Sequence, residues 1–319
     1  TVGFKNIILL ADDAHIIDNL KKHNIDLAWL NTGGTQGKNP MSHTPSILEM
    51  LGIPYVGLSP LAPNILDSKN IFKHMCESLH VNTSNFAVWN EKESSLDDFM
   101  QKVKHKFKKG PFIAKPISGR ASLSVYHAKD LFELKEKCSQ IFEETNNMVM
   151  VEKFLSGKEY CVAVRGGILY QNGKFIDSNK PFVFSEVERV LSDDELIFTS
   201  MDTKKITKDR TRLIDYFKEN EIREALDKIA STIYKGLNLS TLIRVDLRAD
   251  ENGVLHVLEA NPKPDLKKPD GDVVSLVSIG LKEHGLNYDD LIFSIIMNTI
   301  YVYFINEPQA VAHIKNKLQ

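Results

Sequence analysis

The residues best placed to do chemistry lie between Leu242 and Asn261, where Arg244, Asp246, Glu259 and Asn261 interrupt two otherwise apolar runs. The runs read as strands joined at Asn252-Gly253, a dipeptide that favours tight hairpins. A two-residue turn there pairs Glu251 with Val254, so Asp246 falls opposite Glu259 and Arg244 opposite Asn261. Facing carboxylates in an antiparallel pair lie about 5 Å apart and repel. Burying them unpaired adds a further penalty. A hard cation with oxygen ligands removes both costs, and magnesium commonly takes one or two carboxylates together with substrate phosphates. The pattern therefore points to a Mg²⁺–nucleotide site. A slipped register, pairing Arg244 with Glu259, gives instead an ordinary cross-strand ion pair and leaves Asp246 at an exposed edge. The hairpin alone does not choose between the two.

Other residues can serve the same chemistry. Lys115 closes the apolar strand Phe112–Pro116, from where its ammonium can reach a phosphate; the plain alternative is a lysine snorkelling to the surface. Lys69 has the same two readings, and Lys73 follows it at i, i+4. Glu152 ends the run Met148–Glu152 and leads into Lys153, Phe154 and Leu155. An extended hinge there offers the N–H and C=O that an adenine edge needs. Glu159 can accept from ribose hydroxyls, or be no more than a charge at a strand end.

These residues need elements to hold them. Asn6–Ala11, Asp26–Leu30 and Pro54–Gly57 read as strands, alternating with a helix through Leu20 and another over Thr44–Gly52. That is a partial parallel sheet. Ser59–His80 reads as one helix. A strand–helix–strand–strand–helix–strand pattern then runs from Phe86 to about Leu155, with helices over Ser95–Phe107 and Asp130–Glu144. Gly166-Gly167 reads as the turn of a second hairpin between Glu159–Arg165 and Ile168–Tyr170. Ser185–Asp209 is polar and poorly periodic, as expected of a loop over a site. Arg212–Leu237 reads as a long helix, and two helices end the chain.

At 319 residues the chain can form two or three packed units. Its 42% hydrophobic and 26% charged residues are ordinary for a globular protein. A net charge of −2 argues against nucleic acid as a partner. Cys76, Cys138 and Cys161 are too few and too scattered for a disulfide framework or a zinc site, so each reads as a small core residue. The apolar stretch Leu291–Ile305 carries Asn298 and reads as a buried helix, with no membrane partner expected. No signal peptide is visible, and a cytoplasmic enzyme is the expectation. The first residue is Thr1, not methionine, so a segment upstream is also expected.

In order and spacing these segments resemble the ATP-grasp superfamily, and most closely its D-alanine–D-alanine ligases. The resemblance rests on Ile47–Gly57, Asp67–Lys73, Ile113–Pro116, Val151–Glu159, Arg244–Asp246 and Leu258–Pro262. It implies an α/β (α+β) ATP-grasp fold, with the nucleotide held between two subdomains behind a partial Rossmann-like sheet. The divisions expected are 1–62, 63–155 and 156–319. It implies ATP and Mg²⁺ (or Mn²⁺) as cofactors. Lys69 and Lys115 would contact phosphates, the hinge Glu152, Lys153, Phe154 and Leu155 adenine, and Glu159 ribose. Asp246, Glu259 and Asn261 would bind the metal. Arg244 would face the transferred phosphate, Arg189 stands where a phosphate-facing lysine is usual, and Ser122 is what survives of a glycine-rich phosphate loop. The implied reaction joins a carboxylate to an amine through an acylphosphate, with amino-acid or small-peptide substrates, in a chain that could dimerise through its N-terminal part. Departures accompany the likeness. Arg120–Ser124 lacks the loop's glycines, Asp265 replaces a substrate-holding glycine, and Gly37–Pro40 matches only loosely the segment that positions the first substrate. An ATP-binding module with little or no turnover, serving as a domain of a larger protein, is the competing expectation.

Overall fold

A computed structural model describes residues 4–34, 37, 39–119, 123–192, 195–197, 206–268, 271–305 and 309–316. The N-terminal part holds α1 (Ile16–Lys22), β1 (Ala28–Trp29), α2 (His43–Leu51) and β2 (Tyr55–Val56), with β1 and β2 parallel. Gly52 ends α2 in the left-handed region, φ +69°, where a glycine carries no Cβ penalty. The expected strand over Asn6–Ala11 does not form. Among the described residues its apolar side chains find no partner strand, and Leu9 is 93% exposed.

The single helix expected over Ser59–His80 is two, α3 (Ala62–Asp67) and α4 (Lys69–Ser78). Ser68 breaks it by turning extended (ψ 97°), and the Lys69 N–H donates to the Ile117 carbonyl at 2.8 Å. A four-stranded sheet follows: β3 (Phe86–Trp89), β4 (Phe112–Pro116), β5 (Tyr126–Ala128) and β6 (Val149–Lys153), in the order β3-β6-β4-β5. Its helices α5 (Leu96–Phe107) and α6 (Leu131–Thr145) start on Ser95 and Asp130, whose side chains accept from the first-turn N–H groups. Both pack over one face of the sheet around Phe99, Phe112 and Ile141.

The rest is built on β7 (Glu159–Arg165), β8 (Ile168–Gln171), β9 (Lys174–Asp177), β10 (Phe182–Arg189), β11 (Thr211–Leu213), α7 (Asn220–Gly236), β12 (Ile243–Ala249) and β13 (Leu255–Asn261). Five strands form one sheet in the order β11-β10-β7-β12-β13, and α7 packs on it through Leu226, Ala230 and Ile233. Gly166-Gly167 is not a hairpin turn. β7 pairs with β10 and β12, and β8 leaves the sheet to pair with β9. The departure is made where Gly166 meets Asn298: a Cβ there would lie 2.0 Å from the amide oxygen. Ser185–Arg189, expected in a loop, is buried strand; Val187 and Phe184 fill the core beneath it. Thr211–Leu213 is likewise strand, so the following helix begins only at Asn220.

Finally α8 (Tyr288–Ile305) and α9 (Ala312–Lys315) close the chain. By length and composition α8 could cross a membrane, yet its buried side carries Asn298, which bonds the Ser240 carbonyl and the Ile168 N–H. The three cysteines are free and buried, as expected.

The informative hairpin has the anticipated partners by another route. Asp246 pairs with Glu259 and Arg244 with Asn261. The turn, however, is a three-residue loop, Glu251–Gly253, closed by the Asp250 N–H to the Val254 carbonyl at 2.9 Å. Asp250 accepts from Asn252 and Val254, and Gly253 sits at φ +82°, as a loop of this length favours. Near the loop the register is one residue off, Ala249 pairing with Leu255. A bulge at Leu258 restores it before Glu259.

Candidate active site

The four-stranded and five-stranded sheets face each other across a cavity of about 460 Å³. Lys69 and Lys115 line it from one side. Glu159, Arg189 and the β12 residues Arg244, Asp246 and Arg248 line it from the other. Alternation along β12 explains the last three: Val245 and Leu247 point into the core, so the charged residues between them share the opposite face. The segment before β3 pins the sheets together. Asn82 accepts from the Val257 N–H at 2.8 Å, and the Thr83 hydroxyl donates to the Val257 carbonyl at 2.8 Å.

Glu152 is buried, between Lys73 at 2.7 Å and Lys115 at 2.9 Å. Burial alone would raise its carboxyl; Lys115 and Lys73 instead hold it down at about 2. Its side chain therefore clasps lysines and does not present itself to a base. Lys73 is fully buried, and its ammonium also reaches the Thr83 and Ser84 hydroxyls at 2.6 and 2.9 Å. Lys69 donates to the Gly119 carbonyl at 2.9 Å and lies 3.9 Å from Glu259; burial holds its ammonium below the ordinary lysine range.

In the hinge, the Phe154 N–H is engaged, donating to the Pro111 carbonyl at 3.1 Å, so it is not open to a base edge. The Phe154 ring packs edge-on to His127 and carries the Arg248 guanidinium 4.8 Å from its centre. Lys153 and Leu155 also line the cavity, Lys153 half-exposed with its ammonium 3.7 Å from Glu251 and Leu155 buried.

Glu159 and Asp246 belong to one ionic network. Arg189 reaches Glu159 with Nη1 at 2.8 Å and Asp246 with Nη2 at 3.0 Å. Arg244 grips Asp246 with Nε at 2.7 Å and Nη2 at 2.8 Å, and the Asn261 amide donates to the same carboxylate at 3.0 Å. Burial would raise the Asp246 carboxyl, but Arg189 and Arg244 hold it below the ordinary range. Glu159, with Arg189 and the more distant Arg248 (3.5 Å), is nonetheless pushed up by burial. A metal ion is thus not the sole means of keeping Asp246 in a buried strand, because two guanidiniums neutralise it.

The donor set fits a hard cation in kind: two carboxylates and an amide on adjoining register positions, all lining one cavity. Glu259 is the open member, its side chain 35% exposed. Among the described residues no group of three His, Cys, Asp or Glu side chains converges. Ser122 lies outside the described residues, as do Arg120 and Ala121; beside them Gly119 and Ser124 both adopt positive φ, +144° and +54°. Arg248 escaped the sequence reading, and Lys73 was noted there only for its spacing from Lys69. Signals existed for both: Lys73 follows Lys69 by one helical turn, and Arg248 continues the alternation of Arg244 and Asp246.

The sequence profile described as D-ala D-ala ligase C-terminus matches residues 75–297. The D-alanine–D-alanine ligase of Clostridium beijerinckii is 27% identical over 283 residues, 88% of this chain and 83% of that protein. The Aquifex aeolicus ligase is 27% identical over 251 residues, 78% and 75% of the two chains. Among solved structures, the D-alanine–D-alanine ligase of Bacillus anthracis complexed with ATP superposes with a TM-score of 0.67 at 24% identity, covering 90% of this chain and 84% of that one. The VanG D-Ala:D-Ser ligase of Enterococcus faecalis gives 0.65 at 21%, covering 86% and 73%. At these identities the structural likeness is one of fold.

Proposed function

The chain belongs to the D-alanine–D-alanine ligase family and has the ATP-grasp fold, and from that premise we propose an ATP- and Mg²⁺-dependent carboxylate–amine ligase for amino acids or small peptides. One observation carries the reading: Lys69 from α4, Lys115 from the four-stranded sheet, and Arg244, Asp246, Glu259 and Asn261 from the five-stranded sheet line a single cavity. Lys69 and Lys115 hold the ATP phosphates, and the Glu152–Leu155 hinge with Phe154 and Arg248 bounds the base. Glu159 receives the ribose, and Asp246, Glu259 and Asn261 hold the metal. When bound, the ion supplies charge neutralisation to the phosphate oxygens. Arg244 faces the γ-phosphate as a substrate carboxylate attacks it and expels ADP, giving an acylphosphate; an amine then attacks the acyl carbon and expels inorganic phosphate. The protein contributes position and fixed charge, which is most of what phosphoryl transfer asks of it. Asp265, on the cavity wall where the ligases carry glycine, favours substrates other than a pair of D-alanines.

A second reading, a nucleotide-binding module with little turnover, is favoured by the clamp of Arg244 and Arg189 on Asp246. Phosphate release from Mg·ATP, measured against a panel of amino acids and dipeptides that includes D-alanine, separates the two. Acceptor-dependent release supports the ligase. Binding of Mg·ATP with no release under any acceptor supports the module.

A further inference from the structure

Asp246 is the most heavily committed carboxylate in the cavity. Oδ2 accepts from Arg244 at 2.8 Å and Asn261 at 3.0 Å and meets Arg189 at 3.0 Å, while Oδ1 takes Arg244 Nε at 2.7 Å. A carboxylate offers about four lone-pair sites, so little remains for a metal ion. Arg244 and Asn261 belong to the same hairpin as Asp246. Arg189 does not: it reaches across from β10, and its other nitrogen holds Glu159 at 2.8 Å. One guanidinium thus bridges two buried carboxylates, 4% and 2% exposed, as a cation would. The planar fork of arginine suits this double contact better than the point charge of lysine.

We propose that Arg189 is a resident cation, occupying the electrostatic place of the divalent ion until nucleotide arrives. This deepens the ligase reading and rests on it. Triphosphate oxygens offer Arg189 an alternative partner; as it leaves, Asp246 opens to the metal and Glu159 to the ribose. Arg189 is then a positioning residue that makes metal uptake depend on nucleotide, and protects the site from binding the ion alone.

Mn²⁺ retained with the parent protein on ultrafiltration, at matched free-ion concentration with and without ATP, tests this, alongside Arg189→Gln. The parent should take up Mn²⁺ with ATP and at least tenfold more weakly without it. Arg189→Gln, shown folded by circular dichroism, should bind Mn²⁺ alone at least tenfold more tightly than the parent. Comparable uptake by the parent with and without nucleotide overturns the proposal whether or not the variant folds. A folded variant that gains no affinity overturns it too. Neither result touches the ligase reading, which fails separately if the parent takes up no Mn²⁺ even with ATP; the resident-cation proposal then falls with it.

Discussion

Replacing Glu152 by Gln removes the negative centre of the lysine clasp and leaves every neighbour in place. The parent carboxylate lies between Lys73 at 2.7 Å and Lys115 at 2.9 Å, and its depression from 4.5 to about 2 is worth roughly 3 kcal/mol of stability at neutral pH. Burial lowers the Lys73 ammonium at the same time, so the clasp is costly to assemble and worse to leave half-made. One-sided loss of a buried partner costs about 3–5 kcal/mol, and the expected destabilisation is about 3 kcal/mol. Because the folded carboxyl titrates below the unfolded one, this contribution is present above about pH 4.5 and disappears as pH falls toward 2. Urea unfolding followed by tryptophan fluorescence is the assay, since Trp89 lies on β3, paired directly with the Glu152 strand. The gap between parent and variant should narrow below pH 4.5, and Lys73→Met added to Glu152→Gln should recover part of the loss. A variant within about 0.5 kcal/mol of the parent at pH 7 would refute the reasoning.

Three further expectations follow from the same geometry. Glu259→Gln should lower Mg·ATP-dependent turnover at least a hundredfold while leaving the unfolding midpoint within experimental error, because Glu259 is partly exposed and lies 3.9 Å from the Lys69 ammonium; near-normal turnover would remove it from the metal set. Asp227 sits against Glu186, which also accepts from the Tyr216 hydroxyl at 2.7 Å, and burial followed by that contact pushes Asp227 up to about 7. Its folded value is the raised one, so stability is present below pH 4 and is lost as pH rises through 7; Asp227→Asn should flatten the fall in melting temperature between pH 5 and pH 8. Asn298→Ala strips a partner from the Ser240 carbonyl and from the Ile168 N–H, which should cost about 2–4 kcal/mol in denaturant unfolding.

How legible the site was depended on how local its determinants are. The two strands of the hairpin could be read from alternation, and the Asn-Gly turn offered the observed register at Asp246 beside a slipped one, although two features that cancel produce that register. A loop one residue longer than the expected turn shifts it, and the bulge at Leu258 shifts it back. Neither leaves a mark in the pattern of apolar residues. Helix starts at Ser95 and Asp130 were plain because capping is a contact between near neighbours. Pairings between distant segments were not. Ser185–Arg189 looks like polar loop, yet it is strand because Arg189 finds Glu159 and Asp246, and Glu186 finds Tyr216 and Asp227. The same long-range pairing engages the Glu152 side chain in a lysine clasp, and adds Arg189 to the neighbouring Arg244 on Asp246. β8 left its expected hairpin for a similar reason, since its partners on α8 lie far along the chain.

The most direct test of the whole account is positional isotope exchange in ATP labelled with ¹⁸O at the β,γ-bridge, incubated with Mg²⁺ and candidate acids without an amine acceptor. Reversible transfer to a bound carboxylate predicts that label scrambles into the β-nonbridging positions, only when the acid is present, and not in Glu259→Gln. Mg·ATP that binds firmly but never scrambles, with no phosphate released under any acid and amine together, would contradict it.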